Sequence, residues 1–134
     1  MRVELVPTAF VHQHWALAEP HIAKAIEWAN GDFTLDQLHA DVGQGRAALY
    51  WTKEGAEVLG AAVVSFQNNR NKRVAFVLAI GGNLMADQEN FDQFAVLLKQ
   101  AGATHVGGAG RPAIMRLWSR FGFKEKSILF ERPL

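Results

Sequence analysis

The sequence predicts an α+β fold, a mixed and twisted sheet of about six strands flanked by helices. Three observations predict it. Val74–Ile80 is apolar almost throughout, as a central strand covered on both faces reads. It is followed by an amphipathic helical stretch, Asp87–Gln100, and a short buried strand, Thr104–Gly107; a helix between two strands forces a right-handed crossover and parallel pairing. Upstream, Ala47–Thr52 and Val58–Phe66 flank Lys53-Glu54-Gly55 and read as an antiparallel hairpin. A chain of 134 residues buries one core, so residues 1–134 form a single domain.

The elements follow in order. Arg2–Val6 alternates, with Val3 and Leu5 inward. Pro7 ends that strand and Thr8 offers a cap for a helix from Ala9 to about Ala18. Pro20 then either kinks the helix or begins a second one, with Ile22, Ile26 and Ala29 on one face and Gly31 as the stop. Thr34 caps a short helix, Leu35–Val42, which Gly43-Gln44-Gly45 ends. A bulge is expected near Gly60. Gln67–Lys72 reads as an exposed connection. In Asp87–Gln100, Asp87 caps, Gly102 stops, and Phe91, Phe94, Leu97 and Leu98 face inward. The last quarter holds a Gly-rich turn, a helix over Pro112–Phe121 with Ile114, Leu117, Trp118 and Phe121 on its buried face, Gly122 as the stop, and a closing strand, Ser127–Arg132.

Composition excludes several classes. The hydrophobic share of 49% and charged share of 20% belong to a globular chain, and a formal net charge of +1 makes no field for nucleic acid or a membrane surface. There is no cysteine, hence no disulfide, thiolate metal site or cysteine nucleophile. Glu4 and Pro7 interrupt any signal-like run, which reads as a soluble, intracellular, cytoplasmic protein. The five histidines show no ligand spacing, so no metal is expected. Ser65, Ser119 and Ser127 lack a nucleophile elbow. The tryptophans at 15, 28, 51 and 118 lack the basic interleaving of a nucleic-acid platform and read as core or groove-wall residues.

The run ArgProAlaIleMetArgLeuTrpSerArgPheGlyPheLys, positions 111–124, resembles the C-terminal signature of the GNAT superfamily of acyl-CoA-dependent N-acyltransferases. The order of elements is also the GNAT order. The resemblance implies that the two parallel strands splay apart and that an acyl-CoA such as acetyl-CoA lies in the gap. It implies as acceptor an amine on a small molecule or peptide. The opening of the chain, through Ala29-Asn30-Gly31 and Leu35, also resembles small acetyltransferase-like proteins of phages and prophages, including internal virion proteins. That likeness implies the alternative, a catalytically silent binding or structural protein with a protein partner or a second copy of itself.

The resemblance also places site residues. Cofactor binding falls to backbone pairing at Leu78, Ala79 and Ile80, to Gly82 and Asn83 in the loop, and to Arg111 lining the pocket. The loop over residues 81–89 departs from the family's phosphate-binding pattern: its glycines come at the strand end, it has no Arg or Lys, and Asp87 and Glu89 put negative charge on the helix's first turn. The family's general-acid tyrosine falls at Trp118, whose indole cannot serve as an acid at neutral pH. Tyr50, the only tyrosine, reads as a sheet residue. Glu27, Asp32 and Asp36 border the acceptor groove, either as solvated helix and cap residues or as a base. The turn Gly107-Gly108-Ala109-Gly110-Arg111 either binds an anion through its N–H groups or lets a helix pack close to the sheet.

Overall fold

The computed structural model describes residues 1–27 and 32–134. The elements are β1 (Arg2–Val6), α1 (Val11–Ile26), α2 (Leu35–Gly43), β2 (Ala48–Glu54), β3 (Glu57–Asn69), β4 (Lys72–Gly82), α3 (Gln88–Gln100), β5 (His105–Gly108) and α4 (Pro112–Trp118). Short 3-10 turns at Thr8–Phe10 and Ser119–Phe121 precede α1 and follow α4. The five strands make one sheet in the order β1-β2-β3-β4-β5, antiparallel as far as β4 and parallel between β4 and β5. The α+β class and mixed sheet are as the sequence predicts. Trp28, Ala29, Asn30 and Gly31 lie outside the described residues, and with them the Gly31 stop and the phage-type likeness at Ala29-Asn30-Gly31.

The sheet separates two cores. On one face Val11, Trp15, Ala18 and Ile22 of α1 and Leu38 and Val42 of α2 cover Val6, Leu49, Trp51, Ala61, Val63 and Ala79. On the other, Phe94 and Leu98 of α3 cover Val3, Tyr50, Ala62, Val64, Ala75 and Val77, and α4 and its tail add Trp118, Phe121 and Phe123 at the margin. Thr34 and Gln37 close a reciprocal capping box at the start of α2, a pair of bonds with about 1 kcal/mol in the Thr34 cap.

Several expectations are corrected. Helix α1 runs from Val11 to Ile26 with Pro20 inside it, so no second helix begins there. The proline and Ala16, whose carbonyl loses its partner, are both exposed, so water satisfies what the helix gives up, and the stripe Trp15, Ala18, Ile22 keeps its register. Thr8 makes no side-chain cap and lies in the 3-10 turn instead. In β1 it is Val3 and Val6 that are buried, on opposite faces, while Leu5 is 47% exposed. Leu5 borders a hollow of about 360 Å³ with Tyr50, Phe66 and Ala101, at the end of α3. The polar run is exposed from Gln67 to Asn71, as expected, but most of it is strand: Asn68 pairs with Arg73 and Asn69 with Lys72 around a two-residue turn in which Arg70 has φ +54. Ladder bonds use the main chain and need no apolar side chains. The expected bulge appears where Thr52 pairs with Gly60 and Lys53 with Val58, leaving Leu59 extra.

The largest difference is at the C-terminus. Ser127–Arg132 forms no strand; Ile128, Leu129 and Phe130 are 77%, 81% and 91% exposed. The sheet therefore ends at β5, whose outer edge is unpaired among the described residues. For the same reason β5 is not a buried strand: His105 and Gly108 are exposed and Val106 and Gly107 half-buried. Helix α4 buries no residue fully, and Leu117 is 49% exposed, while Ile114, Trp118 and Phe121 are half-buried. No helix among the described residues is long and apolar enough to cross a membrane.

Two expected outcomes follow from this packing. A β-carbon at Gly81 would sit on the His21 carbonyl of α1, so Gly81→Ala is expected to destabilise by about 1–3 kcal/mol in urea unfolding. A chain ending at Lys126 is expected to unfold within about 0.5 kcal/mol of the full chain, because the removed residues are exposed.

Candidate functional site between the parted strands

β4 and β5 pair only from Val74–His105 to Val77–Gly108. β5 ends there, but β4 continues to Gly82 and stays paired with β3 all the way. At the parting point β4 carries one extra residue: Val77 pairs with Val64 and Ala79 with Val63, so Leu78 is bulged. A bulge bends a strand and sharpens its twist. It also reverses the faces, since Ala75 and Val77 lie in the α3 core and Ala79 in the α1 core. The result is a strand edge from Leu78 to Gly82 with no strand partner on its β5 side among the described residues. Leu78 and Ile80 are half-buried and Ala79 is buried, so the edge is lined by apolar side chains.

The glycines at the end of β4 have a packing role. Gly82 has φ +69, and a β-carbon there would lie 2.6 Å from the Gly60 Cα and 2.8 Å from His21 Nδ1. With Gly81 it lets α1 lie directly on the strand end, where His21 Nε2 meets the Val58 carbonyl at 3.0 Å. Their early position, displaced from the family's phosphate loop, follows from this contact.

The loop after β4 closes on itself. The Asn83 N–H donates to the Leu59 carbonyl at 3.1 Å, and the Ala86 N–H donates to the Asn83 carbonyl at 3.1 Å. The Asn83 carbonyl also accepts from the side chain of buried Asn90 at 2.8 Å. At the start of α3 the Asp87 carboxylate accepts from the Asn90 N–H at 2.9 Å, and Glu89 lies in the same turn. A positive group reaches this loop from elsewhere: Arg120 Nη2 donates to the Ala86 carbonyl at 3.0 Å while its guanidinium lies 4.7 Å from the centre of the Phe121 ring. Arg120 belongs to the 111–124 run that carries the family resemblance, but its spacing gives no sign of the contact with Ala86, 34 residues away.

The remaining candidates divide. Trp118 packs in an aromatic cluster, 5.5 Å from the Phe123 ring, while Phe91 stacks 5.4 Å from Phe121. Arg111 follows the end of β5 as the N-cap of α4, is exposed, and accepts from the Ile114 and Met115 N–H groups through its carbonyl. Tyr50 is the sheet residue expected, edge-on to Phe94 at 5.3 Å on β2, away from the open edge. Glu27 is the exposed C-cap of α1 and Asp32 is exposed. Asp36 lines a small depression with His12 and His39 rather than the parted strands. His12 Nδ1 and His39 Nε2 are 3.0 Å apart across α1 and α2, with His39 stacked on Trp15, a meeting the spacing did not reveal because the two residues lie on different helices. Among the described residues no group of three or more His, Asp or Glu side chains is arranged to hold a metal.

No family model matches the chain, and no curated protein matches it in sequence. Solved structures do match in shape. A probable acetyltransferase superposes with a TM-score of 0.68 at 13% identity, over 100% of this chain and 97% of its own. A predicted acetyltransferase from Clostridium acetobutylicum, solved with acetyl-CoA, gives a TM-score of 0.66 at 9% identity over 98% and 95%. An aminoglycoside acetyltransferase from an uncultured soil metagenomic sample, in complex with sisomicin, gives 0.67 at 9% identity over 99% and 95%. The chain has the GNAT-type acetyltransferase fold, as its C-terminal motif implied.

Burial pushes the Tyr50 phenol above its usual value of about 10. The fold thus holds that proton more tightly than the unfolded chain does, and the associated stability is complete below pH 10 and is lost as pH rises through the folded value. Unfolding free energy measured against pH is expected to fall above about pH 10, and Tyr50→Phe is expected to flatten that part of the decline.

Proposed function

We propose that the protein is an acyl-CoA-dependent N-acyltransferase, with acetyl-CoA as the first donor to test and an amine on a small molecule or peptide as acceptor. One observation carries this reading: β4 loses β5 at Val77 yet continues, bulged at Leu78, as an unpartnered strand edge in the interior of a sheet of this fold. Such an edge binds an extended, amide-bearing chain as a sheet binds an added strand. On this reading Leu78, Ala79 and Ile80 hold the donor's pantetheine arm through their main chain. Gly82 and Asn83 end the edge, and Arg111 stands past the end of β5.

When bound, acyl-CoA supplies a thioester carbonyl to which an amine nitrogen bonds as the C–S bond breaks, the amine's surplus proton ending on the thiolate. The chain contributes binding and orientation. Beyond Arg73, β4 carries no titratable side chain, and Trp118 offers only an indole N–H. Proton movement on this reading runs through water, and the amine arrives uncharged.

A second reading, a catalytically silent binding or structural protein of the same fold, is favoured by Trp118 standing in the tyrosine position inside an aromatic cluster. Its test is self-association, or co-purification with a protein partner, at micromolar concentration.

Acetyl-CoA at a hundred times its Kd is expected to stabilise the fold by about 2.7 kcal/mol and to slow amide exchange over residues 78–82. With a panel of amines, the transfer rate is expected to rise with pH along the acceptor's own titration. Absence of both the shift and the transfer would remove the enzyme reading.

A further inference from the structure

We infer that the donor is recognised by its acyl-pantetheine arm alone, and that the 3′-phospho-ADP end of CoA contributes nothing to affinity. The inference rests on the transferase reading above and narrows its substrate to acyl-pantetheine thioesters as a class.

A helix N-terminus binds a diphosphate with free N–H groups and its partial positive charge. At α3 the chain's own Asp87 carboxylate takes one of these groups, accepting the Asn90 N–H at 2.9 Å, and sets a negative charge at the helix start. The Asn83 and Ala86 N–H groups are likewise bonded within the protein, to Leu59 and Asn83. Both side-chain charges in this turn, Asp87 and Glu89, are negative and exposed, so a diphosphate brought here meets like charge. The neighbouring cation is engaged too: Arg120 is held by the Ala86 carbonyl and the Phe121 ring. None of these constraints reaches the open edge of β4 from Leu78 to Ile80, which lies before the loop and carries no charge. The site thus fits one half of CoA and not the other.

The experiment compares acetyl-CoA, acetyl-4′-phosphopantetheine and acetyl-pantetheine by titration calorimetry on the full chain at low ionic strength. The three dissociation constants are expected to agree within about threefold. Binding of acetyl-CoA more than about tenfold tighter than acetyl-pantetheine overturns the inference and leaves the transferase reading intact. Binding of none of the three overturns the transferase reading, and this inference with it. A double variant, Asp87→Ser with Glu89→Gln, keeps a capping oxygen and removes both charges. It is expected to tighten acetyl-CoA by about threefold or more and to leave acetyl-pantetheine unchanged, since the charges act near the helix end alone. Unchanged acetyl-CoA affinity in that variant counts against the inference. So does selective loss of acetyl-CoA binding in Arg120→Ala.

Discussion

β4 is paired along its whole length with β3 and along only its first half with β5, and the extra residue at Leu78 sits where the second pairing stops. Both features bear on the same few residues. A ladder tolerates one extra residue by bending, and the bend carries the strand out of line with a parallel neighbour. The same insertion reverses which face each later side chain occupies, moving Ala79 from the α3 core to the α1 core. An opening in the sheet and a repacking of its two faces therefore come from one local change.

That change constrains the helices. With Ala79 facing α1 and glycine at 81 and 82, the helix lies against the strand end closely enough for the His21 carbonyl to occupy the space of a side chain. His21 then bonds the Val58 carbonyl, tying the helix to β3 beside the Leu59 bulge. Pro20 is compatible with this because its ring points to solvent and the stripe of Trp15, Ala18 and Ile22 continues across it. On the opposite face, α3 begins from a loop whose hydrogen bonds are internal, with Asp87 as cap and Arg120 on the Ala86 carbonyl. Helix α4 is held to that face through a ring cluster of Phe91, Trp118, Phe121 and Phe123.

The site is consequently divided in character. Its inner part is an uncharged strand edge walled by Leu78 and Ile80; its outer part is an acidic helix start where Asp87 caps the Asn90 N–H. On the proposed reading, binding at the first is main-chain pairing, which asks little of side-chain identity. Binding at the second depends on particular residues, and those present are of the wrong charge for phosphate.

What the sequence determined by itself is what local chemistry decides. The capping box at Thr34, the Asp87 cap, the apolar run of β4, the crossover through α3 and the Gly122 stop are all settled within a few residues, as periodicity and capping are. The motif through Phe-Gly-Phe carried the fold. Other features belonged to the tertiary structure, because they depend on partners far away in the chain. The bulge at Leu78 shows in no pattern of an apolar strand; it exists only in the register against β3. His12 meets His39 across α1 and α2, and Arg120 meets Ala86 in the loop before α3, contacts that only packing brings about. Ser127–Arg132 has the composition of a strand yet forms none and is exposed, since a strand needs a partner as well as a sequence and this segment pairs with no strand among the described residues.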